Sequence, residues 1–172
     1  VMNLTLLGLS SVSIEKGSTY SDDGVNNPTY NNNTETSITN ANNEVIQSVD
    51  TATVGEYTIS YNGTDDLGNV STVTRTVNVI DTTIPVITLV GNATVTHEKG
   101  DTYTDAGATA LDHLDVDLTS SIVATSTVDA TAVGTYTVTY NVTDGATNQA
   151  IAVVRTVNVI DTTIPVITLV GN

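Results

Sequence analysis

The chain contains no cysteine, no tryptophan and no phenylalanine, and only four of its 172 residues are lysine or arginine. The first absence excludes disulfides, thiolate zinc sites and thiol chemistry. The second leaves seven tyrosines as the whole aromatic complement, so any core must rest on aliphatic side chains. Four cations against nineteen Asp and Glu give a net charge of −15. Nucleic acid and anionic membrane both need cationic neutralisation, so neither is expected as a partner. The same charge suits divalent cations and limits self-association. No apolar run reaches the eighteen or so residues of a membrane span. The start, "VMNLTLLGLS", lacks the basic head and the length of a signal peptide, which leaves a removed leader or a fragment of something longer. A Gly-rich phosphate loop, a metalloprotease helix and a nucleophile elbow are all missing. His97 and His113 have no nucleophile pattern around them, and no enzymatic activity is expected.

What the chain does have is repetition. "DTTIPVITLVGN" occurs at 81–92 and again at 161–172. "EKGSTYSDDG" (15–24) answers "EKGDTYTDAG" (98–107), and "RTVNVIDTTIP" stands at 75–85 and at 155–165. "SVDTATVGEYTISYNGTD" (48–65) matches "TVDATAVGTYTVTYNVTD" (127–144). The first copy carries extra residues around "TNANN" (39–43), which read as a lengthened polar loop. The chain is thus two copies of a unit of about eighty residues, 1–80 and 81–160, followed at 161–172 by the opening strand of a further copy. A unit that size can hold its own core.

Alternation by two dominates, with no 3.6-residue period. Tyr136, Val138, Tyr140 and Val142 face one way, as do Tyr57, Ile59 and Tyr61 in the first copy; threonine, serine and asparagine face the other. Turn chemistry at "DDLGN" (65–69) and "DGATN" (144–148) closes each run into a hairpin with the strand ending "RTVNVI". Further strands are expected at "VITLV", "ATVTH", "DTYTDAGATA" and "SSIVATST". Arg75 and Arg155 share the parity of the inward valines. An unpaired buried guanidinium is costly, so a bulge or a sheet edge is expected there, with the arginine reaching solvent or a carboxylate. The predicted fold class is all-β: two tandem immunoglobulin-like β-sandwiches. Gly-x-Tyr in "VGEYT" and "VGTYT" matches the tyrosine corner of such sandwiches, with Ile59 and Val138 in the place of the usual cysteine.

These patches, taken in order, resemble the bacterial Ig-like surface-protein repeat, most fully over the second copy. The resemblance implies an extracellular, cell-surface location and tandem arrays in adhesins or wall-anchored proteins. It implies a non-enzymatic spacer or stalk role. The partners are then neighbouring repeats, with any host or surface ligand bound elsewhere in the parent protein. Direct binding of a glycan or host protein by the loop 26–43, where Tyr30 is the available aromatic, is a further possibility.

Calcium is the one cofactor to weigh. "LDHLDVDLT" (111–119) sets Asp112, Asp115 and Asp117 close together as hard oxygen ligands, although it lacks the glycine and glutamate of an EF-hand loop. The first copy has Asn31 and Asn33 where Asp115 and Asp117 stand. Resemblance to adhesin arrays implies a second place, the linker "VIDTTIP". There Asp81 or Asp161 would be joined by Asp65, Asp66 or Asp144 from the hairpin turns. The competing reading is an aspartate that begins a turn and caps local N–H groups. Lys16 and Lys99 each precede a turn glycine in "EKG" and are expected in solvent, not cross-linked to a neighbour. Asn-x-Ser/Thr sequons at Asn3, Asn32, Asn62, Asn69, Asn92 and Asn141 matter only in a host that glycosylates them.

The tail "IPVITLV" is apolar and β-prone, and reads as the start of a further repeat. The alternative is a strand donated to another subunit, making the chain the subunit of an extracellular filament.

Overall fold

The computed structural model describes residues 4–26, 34–65 and 67–170, with only the backbone of Asp115. Asp66, Tyr30, Asn31, Asn33, Asn3 and Asn32 lie outside the described residues or side chains. The described chain is built of strands and short 3-10 turns, and divides into two compact units, residues 1–82 and 83–172.

The described residues of the first unit form seven strands: β1 (Thr5–Leu6), β2 (Ser11–Glu15), β3 (Val25–Asn26), β4 (Thr34–Thr39), β5 (Val45–Ile46), β6 (Gly55–Thr64) and β7 (Val70–Ile80). β1 and β3 form a small sheet, and the larger one runs β2-β7-β6-β4-β5. The second unit has six: β8 (Val86–Leu89), β9 (Thr94–Glu98), β10 (Ala108–Leu111), β11 (Val123–Ser126), β12 (Gly134–Asn141) and β13 (Val153–Ile160). Here β10-β8 is the small sheet and β11-β12-β13-β9 the large one. Most pairs are antiparallel, but β2 runs parallel to β7 and β9 parallel to β13.

Each unit owns its core. In the second, Ile87 and Ala110 from the small sheet meet Val138, Tyr140, Val157 and Val159 from the large one. In the first, Leu4 meets Tyr57, Ile59, Tyr61, Val77 and Val79. The alternation foretold these inward faces. Each such aliphatic side chain, fully buried, stabilises the fold by about 1.5–3 kcal/mol. Both tyrosine corners form: Tyr57 donates to the Thr53 carbonyl and Tyr136 to that of Ala132, each at 3.0 Å.

Three expectations need correction. "DTYTDAGATA" is strand only from Ala108; before it, the Asp105 carboxylate accepts the Gly107 N–H at 2.8 Å and Gly107 turns left-handed at φ 82°. Such a turn takes residues 105–107 out of any ladder. "TNANN" is a tight turn, not merely a longer loop: Asn40 Oδ1 accepts the N–H groups of Asn42 and Glu44, and the chain returns as β5 beside β4. The first unit thereby gains an edge strand, whereas the described sheet of the second stops at β11. The arginines are the third case. β7 and β13 are interior strands in unbroken register, Ile59 opposite Arg75 and Val138 opposite Arg155, so there is neither bulge nor edge.

Candidate functional site

Arg75 and Arg155 are each only 1% exposed, and every nitrogen of each guanidinium has a hydrogen-bond partner. Arg155 Nη1 donates to Asp105 Oδ1 and, at 3.0 Å, to the Tyr140 hydroxyl. Its Nη2 reaches the carbonyls of Val90 (2.5 Å) and Gly107 (3.1 Å), and its Nε that of Asn92 (3.1 Å). Asp105 in turn accepts from Tyr103 (2.9 Å), Tyr140 and the Gly107 N–H. The first unit repeats the arrangement residue for residue: Arg75 with Asp22, Tyr61 donating to Asp22, and Tyr20 donating to it at 3.0 Å. Arg75 also bonds the carbonyls of Leu9 (2.9 Å), Leu7 and Gly24. A buried ion pair holds only when its spare donors and lone pairs are satisfied, and here they are.

The electrostatics follow. Burial opposes ionisation of Asp105, but hydrogen bonds from Tyr140, Arg155, the Gly107 N–H and Tyr103 outweigh it and hold the carboxyl at about 2. Burial and the Asp105 charge push the Tyr140 hydroxyl up to about 12. Asp22 is likewise lowered, burial notwithstanding, by Tyr61, Tyr20 and Arg75. The arrangement offers no open nucleophile or base. It ties the crossing from one sheet to the other, residues 7–9 and 90–92, to a central strand of the opposite sheet. A carboxylate was one of the two destinations, with solvent, that the parity of the arginines allowed. Its identity was not singled out, although Tyr-x-Asp-x-Gly stands in both copies (20–24 and 103–107).

A second construction sits where each unit ends. Glu15 accepts the Thr82 N–H and hydroxyl, both at 2.8 Å; Glu98 accepts those of Thr162 at 2.9 and 2.7 Å and the Thr163 hydroxyl at 3.0 Å. The neighbouring lysines complete the clamp: Lys16 lies 3.5 Å from Asp81 and Lys99 3.3 Å from Asp161. Lys16 is half-buried and Lys99 exposed. The "EKG" turn therefore grips the "DTT" that leaves the same unit. The linker aspartates face an ammonium group, so part of the negative charge expected to draw a metal is already compensated.

The other calcium candidates separate into groups. Asp117 accepts the Thr119 N–H at 2.8 Å, and Asp65 those of Leu67 (3.0 Å) and Asn69 (2.8 Å); both are engaged as turn caps. Bonds from Thr119 and Asn69 respectively lower their carboxyl pKa values. Asp144 caps its own turn in the same geometry, taking the Asn148 N–H at 2.7 Å and its side-chain amide at 2.8 Å. Asp112 differs: its Oδ1 is buried without a hydrogen-bond partner, and carboxylate oxygens of Asp112 and Asp144 lie within 4.8 Å of one another. His97 stacks edge-on against Tyr103 with ring centres 5.3 Å apart and contacts the Asp101 carbonyl at 3.1 Å.

An uncharacterized 81.3 kDa protein of Acholeplasma phage L2 is 33% identical over 130 residues, which cover 73% of this chain and 18% of that protein. The chain therefore spans under a fifth of the relative's length. The crystal structure of a lipoprotein from Bacteroides thetaiotaomicron aligns with 48% of this chain and 40% of its own at 24% identity and a TM-score of 0.42. Residues 4–79 and, again, 87–159 match the family described as bacterial surface protein, Ig-like domain. The chain belongs to that family, as two copies of its domain in tandem.

Proposed function

We propose that the chain is a non-enzymatic spacer of an extracellular, adhesin-like surface protein, a stalk segment whose task is to hold other parts at a distance. The observation that carries this reading is the pairing of a complete core in each repeat with a clamp on the residues leaving it. A chain tied at its exit has few free residues in which to hinge. Membership of a surface-domain family supports the location, and among the described residues no helix is long and apolar enough to cross a membrane. Single-molecule extension tests it. The expected trace holds two separate unfolding events, each releasing about 280 Å of chain, from about 3.5 Å for each of roughly eighty residues. A single event releasing the whole chain would remove the spacer reading.

Calcium is part of the proposal in the second repeat. The Asp112 and Asp144 carboxylates fit a hard cation because Asp112 Oδ1 is buried with nothing to satisfy it and a second carboxylate lies beside it. Extracellular calcium modules bind at about 10⁻⁴–10⁻³ M. Adding calcium to about ten to a hundred times that constant should therefore stabilise the second repeat by about 1–3 kcal/mol. Calorimetry with calcium and with EDTA checks it. Identical melting in both, or an equal gain in an Asp112→Asn variant, removes calcium from the account.

A further inference from the structure

The two repeats follow one plan, so a place where they differ is informative. Along one margin of the second repeat a cleft of about 330 Å³ opens between β9, the outer strand of the described large sheet, and the segment 102–106 that leads into β10. Asn92, Thr96, His97, Thr102 and Thr104 give it a polar lining, and Tyr103 adds an aromatic wall. The His97 and Tyr103 rings meet edge-on with their centres 5.3 Å apart.

The first repeat carries other residues at the matching places: Leu9 for Asn92, Ile14 for His97 and Asp23 for Ala106. The last exchange decides whether the space is open. A side chain built on Gly8 would collide with the Asp23 carboxylate, whereas one built on Gly91 would meet the Ala106 Cβ at 4.0 Å. Asp23 therefore lies across the crossing segment of its repeat, and Ala106 leaves the equivalent space clear. The fold needs neither Asn92 nor His97 as such. The first repeat builds its core and its arginine network with leucine and isoleucine in their places.

We infer that this cleft of the second repeat binds a neutral saccharide, taken as the end of a glycan chain. Its volume lies at the small end of the range for ligand sites, about 300–1,000 Å³. A carboxamide and three hydroxyls both donate and accept, which suits a polyol. His97 Nε2 stands 3.1 Å from the Asp101 carbonyl, an acceptor, so in the neutral ring the proton sits on Nε2 and Nδ1 is left to accept from a sugar hydroxyl. Tyr103 and His97 supply ring surface for the apolar side of a pyranose. Two observations argue against an anion. Arg155, the cation at the cleft, has every guanidinium nitrogen already bonded and is paired with Asp105. The chain as a whole carries −15, which repels negative ligands. The inference goes beyond the spacer reading and does not depend on it, since chain extension does not sense a bound sugar.

The sibling repeat supplies the control. The isotope-labelled chain is titrated with the methyl glycosides of glucose, galactose, mannose and N-acetylglucosamine, and followed by nitrogen–proton correlation spectra. At least one should move the signals of Asn92, His97 and residues 102–104 while those of the first repeat stay still. Asn92→Leu/Ala106→Asp writes the first repeat's residues into the cleft and should lower the affinity by about tenfold or more, with the melting of the second repeat unchanged. His97→Ile should weaken binding in the same way. Leu9→Asn/Ile14→His/Asp23→Ala should confer binding on the first repeat. No shift with any of the four glycosides overturns the inference. So does affinity kept in both cleft variants, or lost only where the repeat itself melts early. Binding of N-acetylneuraminic acid as tight as that of the neutral sugars overturns it as well.

Discussion

An Asp105→Ala chain will melt in two steps, its second repeat unfolding well before the first. The substitution removes a carboxylate that accepts from Arg155, Tyr140, Tyr103 and the Gly107 N–H, and leaves a guanidinium 1% exposed with no counter-charge. Breaking a buried pair from one side costs about 3–5 kcal/mol. A domain of this size holds roughly 4–12 kcal/mol in all, so the loss takes a large share of it. Urea unfolding followed by far-ultraviolet circular dichroism and tyrosine emission reads both steps. Asp22→Ala should transfer the effect to the first repeat. Replacing both partners, as in Arg155→Met/Asp105→Leu, should cost less than Asp105→Ala alone, since no buried charge is then stranded. A second repeat within about 1 kcal/mol of the parent in Asp105→Ala would mean that the arginine finds its compensation elsewhere.

Acid should erase this contribution over a defined window. The Asp105 carboxyl titrates at about 2 when folded and at 3.8 as an ordinary side chain. A depressed folded value means that the stabilisation is complete above the unfolded value and disappears as pH falls through the folded one. Nearly two units correspond to about 2 kcal/mol. Protonation of the other carboxylates also relieves the general repulsion of a chain at −15, so the informative quantity is a difference between two chains. The stability gap between the parent and Asp105→Asn should be constant from neutral pH down to about 5, shrink from there, and reach its minimum only near about pH 1, below the folded value. A gap that stays flat through this window would sink the assignment. Tyr140 mirrors the effect at the alkaline end: its hydroxyl is raised from 10.0 to about 12, so its stabilisation is present below the lower value and lost as pH rises through the upper.

Much of the architecture could be read from the letters, because alternation by two reports which side chains share a face whatever the partner strand is. Tyr57, Ile59, Tyr61, Val138 and Tyr140 are inward as their parity requires. The arginines show where such reading stops. Parity put Arg75 and Arg155 inside and chemistry asked for solvent or a carboxylate, yet an edge or bulge looked cheaper than an interior ion pair. The partner sits more than fifty residues away along the chain for Arg75 and fifty for Arg155, and only the folded topology brings it in. The acidic residues show a related limit of sequence reading. An aspartate poised for a metal and one capping its own turn look alike in sequence, and Asp65 and Asp117 are of the second kind.

The parallel pairing of β9 with β13 has a mechanical consequence. The second repeat is entered through β8 and β9 and left through β13, so tension on its two ends drags these adjacent, like-directed strands in opposite senses along their shared axis. Their bonds are then loaded together instead of parting one by one like a zip. The grip of Glu98 on Thr162 places that load at the end of the ladder itself. A bead so constructed resists being drawn out along its length and gives way far more readily to a pull applied sideways.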